Sequence, residues 1–415
     1  MPATRGLLPR LNELAQIGAS DGGITRPLFT KADFEARKLF VTWAHGSGFA
    51  LAQDVVGNLF ARRPGRRTSE RRRPILLGSH LDTVQGGGAY DGAYGVVAAL
   101  CVLDALDAAG AETEHPIEAV AWAGEEGSRF PLGCLGSGVY AGTNPLADVE
   151  RLVSDDGDTF VSARDSSSGL LRGIEPRSVY PVPAAYLELH VEQGPLLEQA
   201  TETLGVVTAI AGARRLRVEI VGERGHAGTV PMADRKDALS AAAEIVLAME
   251  SAAREIGECV ATVGRFEIDP NETNVIPGGA TFRIDLRSID DARLERLELV
   301  LQSVSDSVAK RRGVRATLGS LERRAAVPMD ARLRTIVHAA ISGVGGKAID
   351  VPSGAGHDAM CLAAIAPTAM LFVPSAGGRS HAANELTSPA DLERGLAMLT
   401  RAALDVDRAL AKDLT

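Results

Sequence analysis

The chain has 415 residues, of which 45% are hydrophobic and 23% charged, and its formal net charge is −9. This length allows a large core and two or three domains, and the composition is that of a globular protein. The acidic balance argues against a nucleic-acid or anionic-membrane partner, and the chain lacks the run of about 18 apolar residues that a transmembrane helix needs. Four dispersed cysteines argue against a disulfide framework. We therefore expect a cytoplasmic location.

Four continuous apolar runs, each ending in small or polar residues, predict strands that are buried on both faces. They span residues 74–80, 116–123, 184–190 and 367–373. Helix-like stretches such as 95–109 and 391–411 lie between or after them. This alternation predicts an α/β domain with a mixed, mostly parallel sheet flanked by helices. In such sheets ligands gather at the carboxyl ends of the strands.

A different pattern occupies residues 211–327. Its predicted order is strand, Ala-rich helix, two strands, amphipathic helix and strand, which is the ferredoxin-like βαββαβ unit. Because α/β patterning resumes afterwards, we expect a discontinuous domain of residues 1–210 and 328–415. The segment 211–327 is then an inserted lid.

The first polar motif is Gly78-Ser79-His80-Leu81-Asp82-Thr83. Residues two apart on a strand face the same side, so His80 and Asp82 can point together. One interpretation is a metal ligand that is oriented by a carboxylate. The other is a buried His–Asp hydrogen bond without a metal.

Two acidic motifs follow. Asp91 follows the Gly-rich segment 86–88 and comes just before a predicted helix, where it can cap that helix or bridge two metals. Glu125 and Glu126 come after an apolar strand, and as adjacent acids they are either ordinary surface residues or a functional pair. In the second case one side chain ligates a metal while the other faces substrate as a general base.

His190 ends another apolar run, and His381 follows the Gly-rich turn after the last one. With these two histidines the chain offers a mixed nitrogen and oxygen donor set that suits Zn²⁺, Mn²⁺, Co²⁺ or Ni²⁺. Two such ions carry more charge than two carboxylates neutralise, and the excess would bring the pKa of a bound water toward roughly 7. The candidate ligands are His80, Asp91, Glu126, His190 and His381.

Taken in order, the motifs resemble those of the M20 metallopeptidase superfamily. The closest likeness is to the branch of N-carbamoyl-L-amino acid hydrolases, β-ureidopropionases and allantoate amidohydrolases. The motifs are GSHLDTV (78–84), YDGAYGV (90–96), EEGSRF (125–130), ELHVEQGP (188–195), GHAGTVPMADRKDAL (225–239), NVIPGGATFRIDLR (274–287), SGAGHDAM (353–360) and SHAANE (380–385).

The resemblance implies two divalent ions held by the five candidate ligands, with Asp91 bridging. It implies that Glu125 is the general base and that Asp82 orients His80. His190 stands where many M20 peptidases have an acid, which favours the ureido branch. The resemblance also implies that five positions contact substrate, namely Gln193, His226, Asn274, Arg287 and His357.

Some roles follow from the residue types themselves. Arg287 ends a lid strand and can hold a carboxylate with two hydrogen bonds, and otherwise it is a surface arginine. His226 lies in a turn of small residues that can carry it into a cleft to stabilise an oxyanion, and otherwise it is a loop residue. In similar enzymes this histidine comes from the neighbouring subunit, so a homodimer through the lid is expected.

The sequence therefore predicts hydrolysis of an N-carbamoyl group on a small carboxylate-bearing substrate. The alternatives are an M20 aminoacylase or dipeptidase and a non-catalytic protein of the same fold. Gly138 and Ala382-Ala383 depart from the residues usual in similar enzymes, without touching the metal set. With Val230, the segment HAGTVPM resembles allantoate amidohydrolases more than carbamoylases.

Overall fold

The protein is described from a computed structural model, which covers residues 6–66, 72–166, 169–343 and 347–412. It divides into two compact units. The first is discontinuous in sequence and comprises Met1–Thr208 and Met329–Thr415, and the second comprises Ala209–Pro328. Within these ranges, no helix has the length and apolarity needed to cross a membrane.

The α-helices are distributed over both units. They are α1 (Leu7–Leu14), α2 (Lys31–Gly46), α3 (Ala93–Ala108), α4 (Leu135–Ala141), α5 (Leu146–Val149), α6 (Phe160–Asp165), α7 (Leu196–Gln199), α8 (Ala238–Ile256), α9 (Asp291–Arg312), α10 (Ala331–Ser342), α11 (Ala359–Leu362) and α12 (Pro389–Lys412). Short 3₁₀ turns lie at Met232–Asp234 and Ala376–Gly378.

The strands range from long central ones to two-residue pairs. They are β1 (Ala19–Ser20), β2 (Gly23–Ile24), β3 (Ala50–Asp54), β4 (Leu59–Arg63), β5 (Ile75–His80), β6 (Ile117–Trp122), β7 (Glu175–Arg177), β8 (Ala185–Val191), β9 (Gly205–Ile210), β10 (Gly212–Val221), β11 (Gly225–His226), β12 (Cys259–Asp269), β13 (Val275–Ile276), β14 (Gly279–Ser288), β15 (Arg315–Arg324), β16 (Val327–Pro328), β17 (Ile349–Ser353) and β18 (Thr368–Val373).

The first unit is built on one mixed sheet. Its strand order is β9-β18-β8-β5-β6-β4-β3-β7, and β17 pairs with β9. The central strands β18, β8, β5 and β6 run parallel to one another. Antiparallel pairs flank them, with β9 on β18 and with β4 on β6. This confirms the predicted α/β class with a mixed, mostly parallel sheet.

Three of the four central strands begin directly after a proline. Strands β5, β6 and β18 each start one residue after Pro74, Pro116 and Pro367. Proline has no N–H to donate to the ladder, so a strand starts beyond it. Every residue of β5, β6, β8 and β18 is buried, as their continuous apolar runs predict.

Two of the helices that cover this sheet pack closely together. Helix α3 contributes twelve buried residues, and its Tyr94 hydroxyl donates to the carbonyl of Leu392 in α12 at 2.7 Å. A Cβ on Gly395 would lie 2.1 Å from that hydroxyl, so α12 needs a glycine at this crossing. The tight packing fixes α3, which begins two residues after the candidate site residue Asp91.

The second unit contains a four-stranded antiparallel sheet in the order β12-β14-β10-β15. Helices α8 and α9 cover one face, and Val218 and Phe282 of the sheet form part of a separate core with Leu297 of α9. The elements occur in the order strand, helix, strand, strand, helix, strand, apart from the two-residue pieces. Helix α8 begins at Ala238 because the side chain of Asp237 accepts the N–H of Ser240 and caps it.

Candidate active site

Four candidate side chains come from the carboxyl ends of parallel strands. His80 is the last residue of β5, and His190 is the penultimate residue of β8. Glu126 follows β6, and His381 follows β18. Because parallel strands end at the same sheet edge, positions distant in sequence converge there.

Asp91 lies between β5 and α3, at the centre of this group. Its Oδ1 is 3.2 Å from Nε2 of His190 and 3.6 Å from Nε2 of His80. Its Oδ2 is 3.2 Å from Nε2 of His381, which also lies 3.4 Å from Oε2 of Glu126. Asp91 is thus shared by two donor groups, His80–Asp91–His190 and Asp91–Glu126–His381, each with ligand atoms within 4.8 Å of one another.

Backbone groups orient the two buried histidines. Nδ1 of His80 is 3.0 Å from the carbonyl of Asp82, and Nδ1 of His190 is 2.8 Å from the carbonyl of Val191. The N–H of Gly92 donates to Nε2 of His190 at 3.0 Å, which requires a lone pair on that nitrogen. Each Nδ1 therefore faces a carbonyl and each Nε2 faces Asp91, the orientation in which a neutral imidazole presents Nε2 to a metal.

The charges of this group demand positive counter-charge. Burial opposes ionisation of Asp91, yet His190, His381 and His80 together hold its pKa well below the usual range. The hydrogen bond with Asp91 raises the pKa of His381 to about 9, and burial raises that of Glu126 to about 8. Without a metal ion, protons on these groups offset the negative charge of the carboxylates. Metal cations could supply that positive charge in place of the protons.

The donor set fits divalent metal ions. Each donor group combines imidazole nitrogens with carboxylate oxygens, and these suit ions such as Zn²⁺ or Mn²⁺. Oε1 of Glu126 is buried and has no hydrogen-bond partner among the described residues. A buried carboxylate oxygen without a donor is costly, and a metal ion would satisfy it. The residues gathered here can therefore bind the metal ions that the resemblance to the M20 superfamily implies.

Glu125 belongs to neither donor group but lies beside them. Its Oε2 is 3.7 Å from Nε2 of His80, and burial raises the pKa of its carboxyl. The Asp82 carboxylate accepts the N–H of Glu125 at 3.1 Å and that of Glu126 at 3.2 Å. Asp82 also lies 3.6 Å from Nδ1 of His80, so one carboxylate links the histidine to the Glu-Glu pair.

Two of the predicted substrate contacts lie in the first unit, in different settings. Gln193 has a left-handed backbone with φ of 59°, and its amide donates to Oδ2 of Asp91 at 2.6 Å. Its Oε1 is buried without a hydrogen-bond partner within the described ranges. His357 is buried, with Nε2 2.9 Å from Oγ of Ser353 and its ring 4.6 Å from that of His190.

The other predicted substrate contacts, His226, Asn274 and Arg287, lie in the second unit. His226 in β11 pairs with Val275 of β13, and the N–H of Ala227 donates to the carbonyl of Asn274 at 3.0 Å. His226 and Asn274 are therefore neighbours, next to the end of the sheet where β10 finishes and β14 begins.

Arg287 lies at the opposite end of the same sheet. It pairs across strands with Ala213, whereas Gly279 at the start of β14 pairs with Val221. At about 3.4 Å per residue, roughly 27 Å separates Gly279 from Arg287. Its guanidinium binds Asp285, with Nε 3.0 Å from Oδ1. Within this unit the structure brings His226 and Asn274 together but not Arg287.

The structure also adds side chains that the sequence motifs did not single out. The hydroxyl of Ser380 donates to Oδ2 of Asp91 at 2.7 Å, and the Cys134 thiol donates to Oε1 of Glu125 at 3.3 Å. Glu385 is buried near Asp91, and burial raises its pKa to about 7. Ser380 and Glu385 belong to the same SHAANE motif as His381, so their position in the sequence could have identified both as site residues. Nothing in the sequence marks Cys134.

Comparison with known proteins places this site in context. The profile of peptidase family M20/M25/M40 matches residues 76–405. The allantoate amidohydrolase of Bacillus subtilis (strain 168) is 39% identical over 93% of this chain and 94% of its own. The N-carbamoyl-L-amino acid amidohydrolase of Geobacillus stearothermophilus is 36% identical over 95% of this chain and 96% of its own.

A solved structure agrees with these sequence relationships. The hydantoinase/carbamoylase family amidase of Burkholderia multivorans superposes with a TM-score of 0.90 and 37% identity. The match covers 96% of this chain and 97% of that one. The similarity therefore extends over both units rather than over the metal-binding motifs alone.

Proposed function

Because the chain belongs to peptidase family M20/M25/M40, we propose that it is a metal-dependent amidohydrolase acting on an N-carbamoyl group. In this proposal the enzyme cleaves the ureido C–N bond of a small carboxylate-bearing substrate and releases ammonia and CO₂. Candidate substrates are N-carbamoyl-L-amino acids and allantoate, which appear in the names of the relatives described above.

The observation that carries the proposal is the shared carboxylate of Asp91. Its two oxygens face different histidines, so one residue serves two adjacent donor groups. We propose that these groups hold two divalent ions, Zn²⁺ or Mn²⁺, with Co²⁺ and Ni²⁺ as further candidates. Bound ions of this kind polarise a scissile carbonyl and activate water.

The chain's own residues supply the remaining chemistry. Glu125 is the general base in this proposal, because it is a carboxylate beside the metal ligands with no ligating role of its own. It takes a proton from the attacking water and transfers it to the leaving nitrogen. Asp82 orients His80 and fixes the backbone of the Glu-Glu pair.

We propose that the second unit is a ferredoxin-like lid and dimerisation domain. In this proposal Arg287 binds the substrate carboxylate and His226 stabilises the tetrahedral oxyanion. Gln193, Asn274 and His357 are the further proposed substrate contacts. Because His226 and Arg287 lie at opposite ends of one sheet, a single copy of the unit would not present both to one substrate, and this favours a homodimer.

The sheet edges of the second unit suggest where a partner subunit binds. Strand β12 is an edge strand of eleven residues, and Val260 and Phe266 expose 56% and 38% of their surface. The other edge strand, β15, carries Arg315, Arg323 and Arg324, and charges of this kind protect an edge from pairing. We therefore propose β12 as the dimer contact.

A panel of substrates with ammonia detection tests the proposed activity. Enzyme loaded with Mn²⁺ or Zn²⁺ is assayed on N-carbamoyl-L-amino acids, allantoate and N-acetyl-L-amino acids. We expect ammonia and the free amine from a ureido substrate, and little turnover of the N-acetyl compounds. Turnover of N-acetyl compounds or dipeptides alone would make the chain an aminoacylase or dipeptidase instead.

The four cysteines are free thiols, and we propose a reducing compartment such as the cytoplasm on this ground.

A further inference from the structure

The side chain of Glu125 has a contact that the family motifs do not contain. The thiol of Cys134 donates to its Oε1 at 3.3 Å, and the N–H of Cys134 donates to its backbone carbonyl at 2.8 Å. Cys134 is buried, with 7% of its surface exposed. The side chain and the backbone of Cys134 thus each donate a hydrogen bond to Glu125.

The backbone of Cys134 is in a conformation that costs energy. It immediately precedes α4 and has φ of 49° and ψ of 40°, in the left-handed region that favours glycine. A residue with a side chain persists there only when its surroundings determine the conformation, and such residues cluster at functional sites. Glycine would fit this backbone better, so the cysteine side chain must contribute something that offsets this cost.

We infer that Cys134 is a positioning residue for Glu125, holding one carboxylate oxygen so that the other faces the metal ligands. Oε1 meets the thiol, while Oε2 lies 3.7 Å from Nε2 of His80. A carboxylate anchored at one oxygen cannot rotate freely, so the orientation of the base is set before substrate arrives. This inference rests on the role proposed for Glu125.

Kinetics of two Cys134 variants test the inference. Cys134→Gly removes the thiol, keeps the backbone N–H and relieves the strained φ, so we expect a protein at least as thermally stable as wild type. Its kcat should fall about threefold to tenfold, the worth of one ordinary hydrogen bond, with KM and metal content unchanged. Cys134→Ser should restore kcat to within about twofold, because a hydroxyl also donates.

Cys361 supplies the matched control. Its thiol also contacts Cys134, yet the donor to Oε1 of Glu125 is Cys134. Cys361→Ala should therefore keep the wild-type kcat. In a Glu125→Gln background, Cys134→Gly should cause no further loss, because there is no base left to position. A wild-type kcat in Cys134→Gly, or an equal loss in Cys134→Ser, would overturn the inference.

An infrared measurement separates this inference from the proposed activity. The S–H stretching band of Cys134, assigned by its loss in Cys134→Ser, should move to higher frequency in Glu125→Gln because an amide is a weaker acceptor than a carboxylate. An unmoved band would overturn the contact, whether or not any ureido compound is hydrolysed. A shifted band in an enzyme without ureidohydrolase activity would instead refute only the proposed activity.

Discussion

The amide nitrogen of Gln193 lies 2.6 Å from Oδ2 of Asp91, the same oxygen that faces His381. Gln193 therefore supports the carboxylate that both metal-donor groups share, in addition to any contact with substrate. Its left-handed backbone brings the side chain to this position.

Replacing Gln193 tests this support. Gln193→Leu should weaken metal retention by roughly tenfold, because groups that hydrogen-bond a metal ligand typically contribute that much. Competition with a chelator, followed by metal analysis, measures the effect without an activity assay. Unchanged retention with a raised KM would instead restrict Gln193 to substrate binding.

Glu125→Gln should retain the metal ions and lose nearly all turnover. The carboxylate lies outside both donor groups, and the loss of a general base commonly costs about a hundredfold or more. Glu126→Gln is the matched control, because the neighbouring residue belongs to a donor group and its loss should release metal. Full activity of Glu125→Gln would refute the assigned role.

Metal binding should release protons at pH 7. Without a cation, the raised pKa values of about 8 for Glu126 and about 9 for His381 leave both groups protonated at this pH. Metal ions bind only the deprotonated forms, so affinity should rise with pH up to about pH 9 and fall as the pH drops.

Titration calorimetry measures this proton release. At pH 7 the binding heat should vary with the ionisation enthalpy of the buffer, and above pH 9 this dependence should weaken. Equal heats in all buffers at pH 7 would mean that the ligands are already deprotonated.

The two ends of helix α3 offer a matched pair of glycines. Gly92 and Gly110 have φ values of 62° and 60°, so alanine strains both backbones, and it strains Gly92 more because the ψ of −50° there lies outside the left-handed helical region. A Cβ on Gly92 would lie 2.4 Å from Cε1 of His80, whereas no described atom comes within 4 Å of one on Gly110. Gly92→Ala should therefore lose metal affinity and activity, while Gly110→Ala should lose only stability. Metal analysis and thermal unfolding of both variants would reveal the difference, and equal behaviour would contradict it.

Mixing two inactive variants tests whether His226 acts across a dimer. Each hybrid of Glu125→Gln and His226→Ala would contain one site with both residues intact. Random subunit exchange should therefore restore about a quarter of wild-type activity. If His226 serves its own subunit, or if the protein is monomeric, the mixture stays inactive.

The sequence predicted best those features that are encoded locally. Apolar runs bounded by proline and followed by glycine or acids located the strands that deliver His80, Glu125 and Glu126. The start of α8 at Ala238 was not predicted, because a helical composition does not reveal that Asp237 supplies the cap.

Positions and contacts that depend on how distant segments pair in the fold could not be predicted from local sequence patterns. The opposite positions of His226 and Arg287 follow from strand register, which their motifs do not encode. The contact of Cys134 with Glu125 depends on a left-handed turn at a residue type that seldom adopts one.

The candidate ligands are spread along the chain from His80 to His381, and the whole second unit lies between His190 and His381. During translation the ribosome therefore completes Ala209–Pro328 before it makes strand β18 and the last histidine. The nascent chain can build its earlier strands first, but it cannot assemble the Asp91–Glu126–His381 group until His381 has been made. On the proposed two-ion site, products terminated before His381 would therefore lack one donor and could not hold the second ion.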